Sequence, residues 1–229
     1  MPILSNLLTR LVFLAALPAV IAVTVTATLL VVSRDWRLNV FALAAQYFFV
    51  ALLMTQVIRV EMAAVKGLIG WVICLVFYLT GQQSRSVRGL PDSGGDVSVR
   101  NWFAARLEGW RHQGISARAA FNFMAVVLVG VTAYASSSAV PLPQVSKGLG
   151  FVCYWLVALA ILVLGLSEDP LRVGVGLLMF LSGFDLFYVA LEPSLVVTGF
   201  LGVISFMIGL GAAYLRAAEA AVDGDSENS

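Results

Sequence analysis

Two ionisable residues lie inside stretches of sequence that are otherwise apolar enough to cross a membrane. Lys66 is in the apolar run 62–81, and Asp185 is in the run 171–191. Charged side chains inside a bilayer are costly and rare, and they usually mark an ion path, a buried ion pair, or a side chain that extends to the interface. These two residues are therefore the first candidates for function.

The two charges are predicted to lie at similar depths in the membrane. Lys66 is about seven residues, or roughly 10 Å, from one end of its span, and Asp185 is about six residues from the end of its own span on the same side. This spacing predicts that the two side chains can form an ion pair. Two alternatives stay open: the residues have separate roles, or Lys66 extends outward to the interface. Even a true pair can be structural, because the loss of one partner leaves an uncompensated buried charge.

Uncharged polar side chains in the predicted spans complete the set of ion-path candidates. Asn39 and Gln46 lie in the second span, and Ser182 lies three residues before Asp185, on the same face of the helix. No pattern predicts a catalytic residue. The sole histidine, His112, and the two cysteines form no haem, disulfide or metal-binding framework. We therefore expect no cofactor, no bound metal and no bond-making chemistry by the chain alone.

The composition is that of an integral membrane protein. Of the 229 residues, 60% are hydrophobic and 12% are charged, with a mean hydropathy of +0.94, whereas a soluble domain is about 45–50% apolar and about 25% charged. A spanning helix needs roughly 20 apolar residues, so the length admits about seven helices. The predicted spans are 11–33, 37–58, 60–81, 119–138, 148–167, 171–191 and 194–215. All are expected to be helices, because lipid cannot satisfy an open sheet edge. The first is expected to be retained and not cleaved as a signal peptide.

The spans and the segments between them predict five units. They are a first three-helix membrane unit, a cytoplasmic loop, a bridging helix with its loop, a second three-helix membrane unit and a disordered acidic tail: residues 1–81, 82–118, 119–147, 148–216 and 217–229. Ten Lys or Arg residues fall on one side of the predicted membrane and three on the other. This bias predicts an N-terminus outside and a C-terminus in the cytoplasm. Within the loop, the pattern of residues 100–111 predicts an interfacial amphipathic helix, which serves either as a docking surface or as a membrane anchor.

A weak internal similarity suggests two parallel three-helix repeats joined by the bridging helix. The stretch 65–70, Val-Lys-Gly-Leu-Ile-Gly, matches 197–202, Val-Thr-Gly-Phe-Leu-Gly. A shift of four spans preserves orientation, so the repeats would be parallel. Chance similarity between two apolar helices is the alternative.

The stretches 36–46 and 65–71 resemble spans two and three of the K-type subunit of respiratory complex I. They are more similar to the hydrogenase-4 component E family, which this chain also resembles in length and in the stretch 169–185. The C-type subunit of Mrp antiporters is similar as well. The K-type subunit carries carboxylates at the positions of Gln46 and Lys66, and the component E family carries a lysine at the second. Gln46 departs from the K-type pattern, because an amide cannot carry a proton as a carboxylate does.

The resemblance implies a non-redox subunit of an ion-translocating complex in a bacterial or archaeal plasma membrane. Such a subunit would pack against antiporter-like membrane subunits within the lipid bilayer, with no nucleic-acid partner. Its proton or sodium path would use Lys66 and Asp185, with Gln46, Asn39 and Ser182 as further candidates. The complex could be a membrane oxidoreductase, although the chain itself is not expected to be catalytic. Two alternatives stay open: a small self-contained secondary transporter, and a scaffold or assembly protein without an ion path.

Overall fold

The computed structural model describes residues 18–33, 35–55, 57–58, 60–87, 117–140, 146–191 and 194–227. These ranges contain seven helices and no strand: α1 (Pro18–Val32), α2 (Trp36–Met54), α3 (Val60–Val87), α4 (Ala117–Ala139), α5 (Lys147–Leu166), α6 (Pro170–Leu191) and α7 (Leu195–Glu227). Helices α2 to α7 are long and apolar enough to cross a membrane, and α1 is a shorter apolar helix in the described part of the chain. The prediction of an all-α integral membrane protein with about seven helices is confirmed.

Two helices run further than their apolar spans predict. Helix α3 continues to Val87, and α7 continues to Glu227. The second extension runs into the segment 217–229, where a disordered acidic tail is predicted, and residues as far as 227 are helical in the described structure. Alanine and glutamate in the stretch 217–221 favour helix, which explains why the loss of hydropathy does not end α7. The predicted amphipathic helix at 100–111 and most of the loop 82–118 lie outside the described residues.

Four of the helices form a ring. Helix α2 packs on α3, α3 on α7, and α7 on α6, and a shorter contact between α6 and α2 closes the ring. Helix α5 packs on the outside of α6, and α4 packs on α5. The short connections from α2 to α3 and from α6 to α7 make each of these pairs antiparallel, so the ring has two ends. We call these the Met54 end, where α2 stops and α3 starts, and the Trp36 end, where α2 starts.

Small residues set the distance between neighbouring helices. A Cβ added at Gly70 of α3 would clash with the ring of Tyr47 from α2, and a Cβ added at Gly183 of α6 would lie 2.9 Å from Leu156 Cβ of α5. Close approach of helices through small residues is the usual way in which membrane helices gain packing energy, because lipid supplies no hydrophobic force between them. These glycines therefore fix which helix faces meet.

The two stretches that suggested a repeat make different contacts. Helices α3 and α7 lie side by side, yet Gly70 of α3 faces α2, whereas its counterpart Gly202 of α7 faces Ile69 of α3. The last glycine of each stretch thus lies at a helix contact, but the partners are not equivalent. Whether the two three-helix units are repeats stays a prediction.

Helix α1 is joined to the second half of the chain at its last residues. Arg172 of α6 donates hydrogen bonds of 3.1 Å to the carbonyl oxygens of Val31 and Ser33. The last carbonyls of a helix have no partner within the helix, so this guanidinium satisfies groups that would otherwise need water.

Candidate functional site

Lys66 and Asp185 form an ion pair inside the ring. Lys66 Nζ lies 2.8 Å from Asp185 Oδ2, and the two side chains are 3% and 0% exposed. The predicted contact is therefore present, and Lys66 points inward and not toward the interface. Asp185 has a short side chain, so the longer Lys66 side chain spans most of the distance between the two helices.

The pair crosses the ring between two helices on opposite sides of it. Phe77 follows Lys66 by eleven residues, about three helical turns, and so lies on the same face of α3. A Cβ added at Gly174 of α6 would lie 3.3 Å from Phe77 Cζ. Asp185 follows Gly174 by the same eleven residues. Two contacts with matching spacing, one at each end of the ring, therefore fix α3 and α6 as antiparallel.

Three hydroxyl groups lie beside the ion pair. Tyr47 of α2 is 2% exposed, its hydroxyl group is next to those of Ser182 and Ser205, and the Asp185 carboxylate is near enough to act on it electrostatically. Ser182 and Ser205 donate hydrogen bonds of 2.8 Å to Leu178 O and Leu201 O of their own helices. All four helices of the ring thus contribute a polar side chain to one buried cluster, which we call the polar pocket: Tyr47, Lys66, Ser182, Asp185 and Ser205.

Several atoms of the polar pocket have no hydrogen-bond partner among the described residues. They are both carboxylate oxygens of Asp185, the hydroxyl oxygen of Tyr47 and the ammonium nitrogen of Lys66. Lys66 Nζ and Asp185 Oδ2 nevertheless face each other as an ion pair at 2.8 Å. Buried polar atoms normally have partners, so this concentration of unsatisfied atoms distinguishes the cluster from the apolar core around it.

Sequence reasoning missed Tyr47 and Ser205. Ser205 interrupts the apolar run 194–215, a signal that was available, although a single serine in a membrane helix is common. Tyr47 gives a weaker signal, because its importance depends on Gly70 leaving room for its ring on the facing helix. No periodicity within one helix reveals such a pairing between two helices.

Asn39 and Gln46 are buried but do not join the ion pair. They are 5% and 1% exposed, and no hydrogen bond in the described structure links either to Asp185. Helix α2 faces α3 through Tyr47 and Ala51, which lie opposite Gly70 and Gly67. Asn39 and Gln46 lie seven residues apart on the neighbouring stripe of α2. Both amide atoms of Gln46 lack a partner among the described residues.

Residues of the types that bind metals are scattered. Cys74 and Cys153 are buried free thiols in α3 and α5. Within the described ranges, no three His, Cys, Asp or Glu side chains come together as metal ligands would. The carboxylate of Asp185 is the charged oxygen ligand that the polar pocket offers.

The comparisons with known proteins identify no relative. No protein-family model, no curated protein and no solved structure matches this chain. The resemblance to the hydrogenase-4 component E family therefore stays a prediction from short motifs, and the functional argument depends on the polar pocket.

Proposed function

We propose that this chain is a non-redox membrane subunit of an ion-translocating complex of the hydrogenase-4, complex I or Mrp type. The observation that carries the proposal is the Lys66–Asp185 ion pair, which is buried at the centre of a ring of membrane helices. Buried ion pairs rarely stabilise a fold, because desolvation offsets their attraction. Ionisable residues within membrane helices are therefore most often functional.

The pair supports proton transfer through its charge balance. Lysine and aspartate together are neutral, and they stay neutral when one proton passes from the ammonium to the carboxylate. If the carboxylic acid then releases its proton to one side while the amine takes up a proton from the other, one proton has passed and the pair returns to its starting, neutral state. The hydroxyl groups of Tyr47, Ser182 and Ser205 extend the polar pocket away from the pair and can take part in a hydrogen-bonded relay.

The apolar half of the ring favours a subunit over a self-contained transporter. Toward the Trp36 end, Phe77 lies between α3 and α6 against Gly174, and Phe77, Leu178 and Met179 are at most 1% exposed. A path that reaches Lys66 from the Met54 end therefore does not continue straight through the ring. A neighbouring membrane protein would have to supply the remaining half.

Helix α4 offers a surface for such a neighbour. It packs on α5, and large side chains on its other faces are more than half exposed: Phe121, Phe123, Met124, Leu128, Val131 and Tyr134. In a membrane this surface contacts lipid or another chain. Together with the charge bias of the sequence, the proposal places the N-terminus outside and the C-terminus in the cytoplasm of a bacterial or archaeal cell.

The first test is extraction of the tagged chain from its native membrane in mild detergent, followed by mass spectrometry. We expect antiporter-like membrane subunits to co-purify. Purification as a lone monomer or homodimer would contradict the subunit proposal, and transport by that lone protein in liposomes would support a secondary transporter instead.

The second test is Lys66→Met in the assembled complex. The substitution keeps the bulk of the side chain and removes its charge, so we expect the complex to assemble and ion translocation to be abolished. Lys147→Met is the matched control, because Lys147 is exposed at the start of α5. If the Lys66→Met complex translocated ions at the wild-type rate, the chain would be a scaffold. The double variant Lys66→Met/Asp185→Leu, which leaves no unpaired charge, separates loss of function from loss of folding.

A further inference from the structure

We propose that a groove between α2 and α3 binds one acyl chain of a phospholipid from the leaflet at the Met54 end of the ring. The groove faces outward and lies outside the polar pocket. This site goes beyond the proposed function, because it requires no ion path. The lining, the length and the volume of the groove all match such a chain.

Small residues form the floor of the groove, and large side chains form its walls. At the floor, a Cβ added to Gly67 of α3 would lie 3.3 Å from Ala51 Cβ of α2, so the two helices nearly touch there. The walls are side chains that are 41–66% exposed: Phe48 and Leu52 on α2, and Val60, Leu68 and Trp71 on α3. The groove is therefore a narrow trough between two rows of side chains, and it opens toward the membrane.

The lining of the groove is apolar. None of the ten lining residues is charged, and the hydroxyl group of Thr55 donates its hydrogen bond to Leu52 O at 2.7 Å. A buried water molecule needs about two to four polar partners, and cavities lined by apolar side chains stay dry. The occupant that this lining favours is therefore a hydrocarbon and not an ion, a headgroup or a file of water molecules.

The length and the position of the groove match one leaflet of a membrane. The groove begins at Val60, the first residue of the span Val60–Gln82, and ends at Trp71, in the middle of that span. Eleven residues of helix rise by about 16 Å, and half of the hydrocarbon core of a bilayer is about 15 Å thick. An acyl chain that enters beside the turn between α2 and α3 would thus end at Trp71.

The volume of the groove admits a single chain and not a helix. The groove encloses about 320 Å³. A helix with its side chains is about 10–12 Å in diameter, so a length of about 16 Å fills roughly 1,300 Å³ or more. Because α2 and α3 nearly touch at the floor, a helix from another protein could only lie across the opening. An acyl chain, in contrast, can follow the groove along its whole length.

The groove lies behind the turn of α3 that carries Lys66. Ala63 and Gly67 line the groove, three residues before Lys66 and one residue after it, while the Lys66 side chain points inward to Asp185. A bound acyl chain therefore covers the outer side of this turn with hydrocarbon. We expect the chain to stabilise the ring around the ion pair without contact with either charge.

The test uses the fluorescence of Trp71 and a phosphatidylcholine with two bromine atoms on one acyl chain. Bromine quenches a tryptophan that it contacts, so this lipid is titrated into the purified chain in detergent. We expect quenching that saturates as at a single site, and this saturating component should be lost in Trp71→Phe. Bromine near the end of the acyl chain should quench more than bromine near the headgroup, because Trp71 lies at the inner end of the groove.

Two substitutions distinguish the groove from the rest of the lipid-facing surface. Ala64→Leu fills the groove from an exposed position, so it should remove the saturating quenching of Trp71. Ala135→Leu is the matched control, because Ala135 is an exposed residue of α4, outside the groove. The lipid should raise the unfolding temperature of the wild type and of Ala135→Leu, but not that of Ala64→Leu.

Three results would overturn the inference. One is quenching of Trp71 that rises in proportion to the lipid or is unchanged in Ala64→Leu, since the groove then contacts only bulk lipid. Another is stronger quenching by bromine near the headgroup, a comparison that uses the wild type and stands even if Ala64→Leu does not fold.

The third result concerns the protein extracted from its native membrane with its neighbours. If the brominated lipid did not quench Trp71 there, and Ala64→Leu released a neighbouring subunit, a side chain of that subunit would be the occupant. None of these outcomes depends on ion translocation, so failure of this inference leaves the proposed function untouched.

Discussion

The two halves of the four-helix ring are built from the same helices but are filled differently. The half toward the Met54 end contains the polar pocket, where four helices each place a hydroxyl or charged side chain. The half toward the Trp36 end is filled by apolar side chains, with Phe77 lying against Gly174. Both halves bridge α3 and α6, one through an ion pair and the other through an aromatic ring.

This difference shows how one pair of helices can serve two purposes. In the apolar half, the contact of Phe77 with Gly174 buries no polar side-chain atom and so contributes stability. The polar half has unsatisfied buried atoms, which cost free energy, and it persists because the surrounding contacts hold it. Substitutions in the two halves should therefore differ in how far they lower the free energy of unfolding and in whether they affect function.

The largest effect on stability is expected from Asp185→Asn in the polar half. The substitution leaves Lys66 charged and buried without its partner, so the free energy of unfolding in detergent should fall by about 3–5 kcal/mol. Asp169→Asn is the control, since the Asp169–Arg216 pair is partly exposed and should contribute at most about 1 kcal/mol. Equal losses at the two positions, measured by thermal or chemical unfolding, would show that burial does not set the cost.

The next effect is expected from Phe77→Ala in the apolar half. Removal of the ring leaves a cavity against Gly174, and we expect a loss of about 3 kcal/mol. Phe121→Ala on the exposed face of α4 should change stability by less than about 0.5 kcal/mol. The comparison separates packing inside the ring from contact with detergent. A large loss at Phe121 would indicate that α4 is covered in the purified protein.

The smallest loss is expected at Gly70, the glycine that leaves room for the Tyr47 ring. Gly70→Ala places a methyl group against the Tyr47 ring and should cost about 1–3 kcal/mol. Gly199→Ala meets no atom within 4 Å and should raise stability by about 0.5–1 kcal/mol, because alanine favours helix. Unfolding curves of both variants measure this contrast. Similar changes in both would argue that the Gly70–Tyr47 contact does not limit the approach of α2 to α3.

The helices and the ion pair could both be predicted from the sequence because a membrane restricts the chain to helices of known length. In lipid, a backbone must satisfy its own hydrogen bonds, so apolar length alone predicts a helix. Depth then follows from counting residues, and the similar depths of Lys66 and Asp185 made an ion pair one of three interpretations that the sequence left open. The end of α7 could not be found in this way, because its last turns leave the apolar span and continue through helix-favouring residues outside it.

Whether Tyr47 and Ser205 join the ion pair depends on which helices are neighbours, and hydropathy does not predict which helices pack together. Tyr47 reaches Ser182 and Ser205 because Gly70 admits its ring, and this match of large and small residues joins positions far apart in sequence. Gln46 was predicted instead of its neighbour Tyr47, because an amide in an apolar run is the more conspicuous residue. One step along a helix turns a side chain by about 100°, which is enough to place it on another stripe.

The hydrogen bonds from Arg172 to Val31 and Ser33 have a consequence for the order of assembly. They join positions 139 and 141 residues apart. Synthesis proceeds from the N-terminus, so the end of α1 emerges long before its guanidinium partner exists. Until α6 is inserted, the last carbonyls of α1 depend on the hydrated edge of the membrane. The helix that carries Asp185 into the ring also fastens the first helix, and both events belong to the later part of biogenesis.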